Sequence, residues 1–365
     1  MADRTADSRP GALAAATGWA DITARWMTEA LAEHHPDAEI SRVDLAMRDD
    51  GTNRRARFDL TYAAGSGPGT VFLKRAERAH AAVNLRNGTL FIEPDLFASR
   101  VPLPVDHPLM YRVVIDRPAL DFTLVMEDVT RRGADPRDST RPMTADQVAH
   151  GLRGLARLHS RYWGFSATTH PELAWMQTWE PTDGFSSGLR TFVPRGLERG
   201  VNVLPARVAA HSGDEVVDLW ARYVGTLGRD PVTLLHGDAH IGNTYVLPGD
   251  QVGFLDWQVA HRGGWCQDVG YFLVGALTVE DRRQHERALI AEYRDALDLP
   301  EQARPSIDLA WLRYRASAAY GLAIWLSTLG TDGWQRHEIS LALTERYAAA
   351  FADLDTPAAL VGLSA

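Results

Sequence analysis

The sequence is poor in cysteine: Cys266 stands alone in 365 residues, so no disulfide can form within the chain and nothing demands an oxidising compartment. Long apolar runs are missing too, and no stretch approaches the roughly 18 residues of a membrane-spanning helix. Net positive charge is absent. A formal charge of −9 and a pI near 5.8 argue against the basic surface with which nucleic-acid binders meet phosphate backbones, so no nucleic-acid partner is expected. The opening residues, MADRTADSRPGALAAATGWAD, mix charges early and lack the apolar centre of a signal peptide, which makes a cytoplasmic setting the expectation. Lysine is as scarce as cysteine. Of 38 basic residues only Lys74 is a lysine, which singles out one compact ammonium in a chain that otherwise relies on guanidinium groups.

What is present is the composition of an ordinary globular protein, 45% hydrophobic and 23% charged, at a length that implies two domains. Trp19, Ile22, Trp26, Ala30 and Leu31 recur at helical spacing, predicting a helix over 17–35 with Thr17 as its cap. EISRVDLAM and RARFDLTYA then read as strands joined by a turn at Asp50 and Gly51, followed by a third strand, TVFLKRA, that carries Lys74. A strand lysine that must be held extended calls for a carboxylate. Glu93, beside Pro94 at a helix start, is the preferred partner, with Glu77 as the alternative. VPLPV reads as an extended linker, LMYRVVID and DFTLVMED as two further strands. Beyond Asp128 the pattern turns helical, as at residues 144–162, 214–228, 279–298, 307–328 and 336–354, and His159 falls on a core-facing position. A crevice between the two lobes is the default ligand site.

The richest stretch is TLLHGDAHIGNTYVLPGDQVGFLDWQVAHRGGWCQD, residues 233–268. It sets an H-x-D-x-x-x-x-N loop ahead of an acidic residue that closes a short apolar strand. Phosphoryl transfer to a hydroxyl needs a carboxylate base, oxygen ligands for Mg²⁺ and a cation on the phosphates. Asp238 fits the base, Asn243 and Asp256 the metal ligands, and Lys74 the cation. His236 reads as a scaffold that bonds backbone near Asp256, and Asp268 as a helix N-cap tying the loop from behind.

These residues resemble the catalytic loop and acidic segment of the aminoglycoside phosphotransferase and choline kinase superfamily, relatives of the protein kinases. RFDLTYA and TVFLKRA resemble its glycine-loop and lysine strands, LVMEDV its hinge, and LARLHSRYWG its first large helix. The resemblance covers most of residues 48–330. It implies an α+β, bilobal protein-kinase-like fold: a small antiparallel sheet lobe over 1–125, a hinge over 126–130, and a mostly helical lobe over 131–365 with a catalytic loop at 234–243. It implies an ATP- or GTP-dependent kinase acting with Mg²⁺ on a hydroxyl of a small molecule, of aminoglycoside, nucleoside-antibiotic, sugar or amino-alcohol type. No membrane partner is implied. The turn at Gly51, Thr52 and Asn53 would cover the phosphates, and Met126, Glu127 and Asp128 would hold the purine. Trp175, Trp179, Trp311, Tyr314 and Tyr320 are candidates, as a group, for the acceptor site. The turn departs from the family by carrying a single glycine, which leaves a nucleotide-binding module without catalysis as one alternative. His236, Asp238 and His240 as transition-metal ligands of a hydrolase form another.

Overall fold

The computed structural model describes residues 13–51, 53–229 and 231–364, and the chain divides into two compact units. The first comprises Met1–Pro102 and Pro108–Arg132, the second Leu103–His107 and Gly133–Ala365.

The first unit holds β1 (Glu39–Asp50), β2 (Asn53–Ala64), β3 (Thr70–Ala76), β4 (Met110–Asp116) and β5 (Asp121–Glu127) in one antiparallel sheet, ordered β1-β2-β3-β5-β4. Three helices accompany it: α1 (Ala24–Leu31), α2 (Arg78–Arg86) and α3 (Ile92–Ala98). Alternation along β3 divides the core. Val71 and Leu73 join Phe58 and Val125 under Trp26, Met27 and Leu31 of α1. Phe72 and Ala76 turn to the other face, with Leu124 and Met126 beside Phe91 at the head of α3. Lys74 shares the second face by the same period.

The predicted helix over 17–35 is interrupted. Asp21 accepts from the Thr17 amide (2.8 Å) and hydroxyl (2.6 Å), which closes a 3₁₀ turn at Trp19–Asp21. The helix proper starts after Thr23, whose hydroxyl caps it by accepting from the Trp26 amide (3.2 Å), so Thr23 and not Thr17 is the cap. The buried Arg75 donates to Asp121 (2.7 Å) and to the Ala16 carbonyl, tying this N-terminal segment to the sheet.

The second unit holds α4 (Ala145–Arg161), α5 (Asp183–Arg199), α6 (Ala206–Ala209), α7 (Gly213–Val224), α8 (Cys266–Ala276), α9 (Val279–Asp295), α10 (Ile307–Gly330), α11 (His337–Asp353) and α12 (Thr356–Ser364). Its short strands are β6 (Asp135–Pro136), β7 (Val232–Leu235), β8 (Thr244–Leu247), β9 (Gln251–Phe254) and β10 (His261–Gly264). They pair as a β7/β10 ribbon and a β6-β8-β9 sheet. The β8–β9 hairpin is fastened to α4, where His150 Nδ1 accepts from the Val252 amide (2.9 Å) and Gln147 donates to Asp250 (2.7 Å). No helix among the described residues is long and apolar enough to cross a membrane.

One further expectation needs correction. The VPLPV segment is no free linker: the Asp106 carbonyl accepts from the Phe254 amide (2.8 Å), its carboxylate takes the Tyr245 hydroxyl, and Leu103–His107 belongs to the second unit. The turn-rich TDGFSSGLRTFVPRGLER forms α5 despite Pro194, because Thr182 caps it by accepting from the Phe185 amide (3.2 Å) and Leu189 and Val193 are buried. Gly196 serves packing. A Cβ on Gly196 would fall 2.0 Å from the Leu326 carbonyl oxygen of α10. Gly196→Ala is therefore expected to destabilise the chain by about 1–3 kcal/mol in urea unfolding. Gly188→Ala, in the same helix with nothing within 4 Å, should be neutral or stabilising by up to about 1 kcal/mol.

Candidate active site

β7 delivers the chain into the 236–243 loop while pairing with β10, Leu235 opposite His261. Gly237 follows in a left-handed conformation (φ 84°), and a Cβ there would lie 2.2 Å from the Val259 carbonyl, so only glycine passes without strain. The buried Asp268 fastens this turn. Its Oδ2 accepts from the His236 amide (2.7 Å), its Oδ1 from the Gly237 amide (2.9 Å), and His159 Nε2 approaches Oδ2 at 3.3 Å. His159 Nδ1 meets the Tyr293 hydroxyl (2.8 Å). Burial would raise the Asp268 carboxyl, but the His159 hydrogen bond and charge, His236 and the Gly237 amide hold it below the usual carboxylate range. Asp268 is not the N-cap anticipated from sequence: α8 starts at Cys266, which puts Asp268 in the first turn, facing the loop.

His236 uses both ring nitrogens. Nε2 donates to the Leu255 carbonyl (2.8 Å) and Nδ1 accepts from the Asp238 amide (3.3 Å), with the ring against Trp257 (4.7 Å between centroids). Both ring nitrogens are thus engaged within the loop and its neighbouring strand end. Asp238 is half-exposed. Its carbonyl and Oδ2 both accept from Asn243 Nδ2, each at 2.9 Å.

The hairpin register brings the other two loop candidates together. Thr244 pairs with Phe254, and the Leu255 amide donates to the Asn243 carbonyl (2.7 Å), so Asn243 and Asp256 sit at the same end of β8–β9. Asp256 adopts a left-handed conformation (φ 61°). With Nδ2 on Asp238, the Asn243 amide oxygen is turned away from that contact. Two hard oxygen donors fit Mg²⁺, which keeps waters and substrate phosphates as its remaining ligands. Among the described residues no group of three or more His, Cys, Asp or Glu forms an all-protein metal cage.

In the first unit Lys74 Nζ lies 2.5 Å from Glu93 Oε2, both side chains about 5% exposed or less. Glu77 instead caps α2, accepting from the Ala79 amide (3.2 Å), with Arg54 at 3.7 Å. The Gly51 amide donates to the Asn53 carbonyl (3.0 Å), and Thr52 lies outside the described residues. Met126 is buried at the end of β5. The Glu127 amide donates to the Leu109 carbonyl (2.8 Å) and the Asp128 carbonyl accepts from the Arg131 amide (3.0 Å), so these two backbone groups are engaged within the fold. Asp128 itself is a buried cap, accepting from Thr70 (3.0 Å) and Thr130 (2.6 Å).

The five aromatic candidates separate. Trp179, Tyr320 and Tyr271 form a chain of rings reaching His240, with centroid distances of 6.4, 5.3 and 5.9 Å. Burial, then the charges of Asp238 and Asp268, push the Tyr320 hydroxyl well up and keep it a neutral donor. Trp311 and Tyr314 belong elsewhere. Tyr314 is fully buried and donates to Glu286 of α9 (2.8 Å), and Trp311 lies under Arg287 at 4.1 Å, so Tyr314 is core. Trp175 is half-exposed.

Sequence reading missed two supports. His261 Nδ1 bonds the Val259 carbonyl (2.7 Å), His261 Nε2 meets Gln267 (3.2 Å), and Gln267 Nε2 donates to the Gly237 carbonyl (3.4 Å). Their only signal is polarity inside the apolar tract on either side of Cys266. His240 accepts from the Gly242 amide (3.0 Å), and burial pulls its imidazole below the usual value, outweighing Asp238.

The profile of the phosphotransferase enzyme family matches residues 53–309. Among solved structures, a spectinomycin phosphotransferase in complex with ADP and spectinomycin is similar at TM-score 0.50 and 13% identity, covering 92% of this chain and 99% of its own. An aminoglycoside phosphotransferase from Streptomyces rimosus is similar at TM-score 0.42 and 16% identity, covering 80% and 97%. Choline kinase from Streptococcus pneumoniae follows at TM-score 0.45 and 12% identity, covering 90% and 98%. No curated protein matches the sequence. The first of these likenesses shows a shared kinase-like α+β fold.

Removing either buried carboxylate should be costly. Glu93→Ala strips Lys74 of its ion-pair partner and is expected to cost about 3–5 kcal/mol in chemical denaturation, against about 1 kcal/mol or less for Glu77→Ala. Asp268→Ala should cost about 3–5 kcal/mol. Asp268→Asn separates charge from shape. A carboxyl held below its unfolded value contributes stability that is complete above about pH 4 and is lost as pH falls through the lowered folded value. The gap in stability between parent and Asp268→Asn should therefore narrow from pH 7 to about pH 3, and an unchanged gap would show that the charge contributes nothing.

Proposed function

Because the chain belongs to the phosphotransferase enzyme family, we propose that it transfers the γ-phosphate of ATP or GTP to a hydroxyl of a small molecule. The observation that carries this reading is the loop geometry. Asp238 is half-exposed, one of its oxygens is held by Asn243, and the hairpin register sets Asn243 beside Asp256. A base must be reachable and oriented, and this exposure and hydrogen bond support Asp238 in that role.

In this reading Asp238 takes the proton of the acceptor hydroxyl. Asn243 Oδ1 and the Asp256 carboxylate hold Mg²⁺, which when bound neutralises charge on the phosphates. Lys74, kept extended by Glu93, meets the non-transferred phosphate oxygens as a point charge, the task for which arginine is a poor replacement. The first unit, Met1–Pro102 with Pro108–Arg132, acts as the nucleotide lobe with its hinge at 126–130, and the second, Leu103–His107 with Gly133–Ala365, as the acceptor lobe. Since the Glu127 amide and Asp128 carbonyl are engaged, neighbouring backbone groups carry the purine. Trp179 and Tyr320 are the acceptor-side candidates that lie in the ring chain leading to His240 beside the base. The acceptors to screen are the classes that the sequence resemblance implies, aminoglycosides, nucleoside antibiotics, sugars and amino alcohols, with cationic and neutral ones first given the acidic composition.

The test is turnover with Mg²⁺, comparing ATP with GTP over that acceptor panel. Asp238→Asn should lower kcat by about 10²–10⁴ while a thermal shift with nucleotide persists. Equal turnover by Asp238→Asn would dismiss the mechanism, and nucleotide binding without transfer to any acceptor would favour the non-catalytic alternative. Lys74→Ala should weaken nucleotide use, with kcat/KM for ATP falling at least about tenfold.

A further inference from the structure

One ring close to the proposed base takes no part in the transfer as read above. His240 lies two residues past Asp238 and is locked there by its backbone: its amide donates to the Asp238 carbonyl (2.8 Å) and its carbonyl accepts from the Asn243 amide (2.9 Å). Its ring is fixed as well. Nδ1 accepts from the Gly242 amide (3.0 Å), and the ring stands edge-on to Trp325 and Tyr271, with centroids at 5.2 and 5.9 Å. A nitrogen that accepts carries no proton, so the neutral ring bears its hydrogen on Nε2. That Nε2 lies 3.8 Å from Asp238 Oδ2.

Two donors thus converge on one oxygen, since Asn243 Nδ2 is 2.9 Å from the same Oδ2. Among the described residues no hydrogen bond is formed to Oδ1. The 3.8 Å separation exceeds a hydrogen bond, and catalytic contacts that are long in the free enzyme tighten when substrate is bound.

We propose that His240 is a positioning residue for phosphate transfer: its Nε2–H, with the Asn243 amide, holds Asp238 Oδ2 so that Oδ1 is the oxygen presented to the acceptor hydroxyl. This rests on Asp238 acting as the base. As the bond from acceptor oxygen to phosphorus forms and the bond from phosphorus to the nucleoside diphosphate breaks, the hydroxyl proton passes to Oδ1, and Oδ2 keeps its two donors.

The two jobs of the ring can be separated, because an asparagine side chain reproduces a Nδ1-type acceptor and a glutamine side chain reaches the Nε2 position. With MgATP and the acceptor found by screening, or water where none is found, His240→Asn should keep its melting temperature and its KM for ATP but lose about ten- to a hundredfold in kcat, and His240→Gln should regain most of that loss. A His240→Asn variant as fast as the parent would reduce the ring to a cap for the Gly242 amide and overturn the proposal alone. A parent chain that moves phosphate to neither acceptor nor water would sink the functional reading, and the proposal with it. Nitrogen-15 NMR of the labelled imidazole gives a readout independent of turnover: a proton on Nε2 supports the proposal, and one on Nδ1 refutes it.

Discussion

A carboxylate buried without water must be surrounded by donors, and the second unit is arranged to meet that demand at Asp268. Two consecutive backbone amides, His236 and Gly237, both turn toward it, and chain can do that only where the backbone bends sharply. The left-handed glycine, the support of its carbonyl by Gln267 and the partnership of His159 with Tyr293 follow from the same need. Because every residue of α8 is buried, the carboxylate is presented from an element that cannot easily yield. What lies downstream in the loop inherits its position from this anchor.

A second constraint is metrical. An antiparallel hairpin converts sequence separation into proximity: Asn243 and Asp256 are 13 positions apart in the chain yet flank one end of β8–β9. Attachments to α4 at His150 and Gln147 hold the opposite end. The left-handed backbone at Asp256 costs on the order of 1 kcal/mol, a modest strain to retain at a position where the chain must leave the strand abruptly.

Much of this was legible in the sequence because it is local. The strands around Lys74 announce themselves by alternation, and the H-x-D-x-x-x-x-N spacing places His236, Asp238 and Asn243 in one loop. The Lys74–Glu93 pairing could be named because a buried ammonium needs a carboxylate and few were near. What stayed hidden depends on long-range packing. α5 carries no clear helical signal because its glycines and Pro194 have poor helical propensity, and only the close approach of α10 explains Gly196. Asp268 reads as a cap because sequence cannot tell which side of a helix start faces a loop. Tyr314 and Tyr320 look alike on one apolar helix, and only their neighbours, Glu286 for one and a ring chain leading to His240 for the other, separate core from candidate site. Leu103–His107 was hidden for the opposite reason: Pro104 and the preceding Pro102 describe its extended shape correctly but not the strand it lies against.

That last segment has a consequence for heredity rather than for chemistry. Since Leu103–His107 belongs to the second unit while the chain on both sides belongs to the first, the polypeptide passes from one unit to the other three times, at 102/103, 107/108 and 132/133. Neither unit is a contiguous gene fragment. A single crossover between related genes at any point from 107 to 244 would leave Asp106, with its bonds to Tyr245 and Phe254, in one parent and its partners in the other. Recombination that preserves both units must therefore exchange this short insert along with the helical unit, which makes the fold resistant to modular shuffling at the one place where its sequence looks most like a spacer.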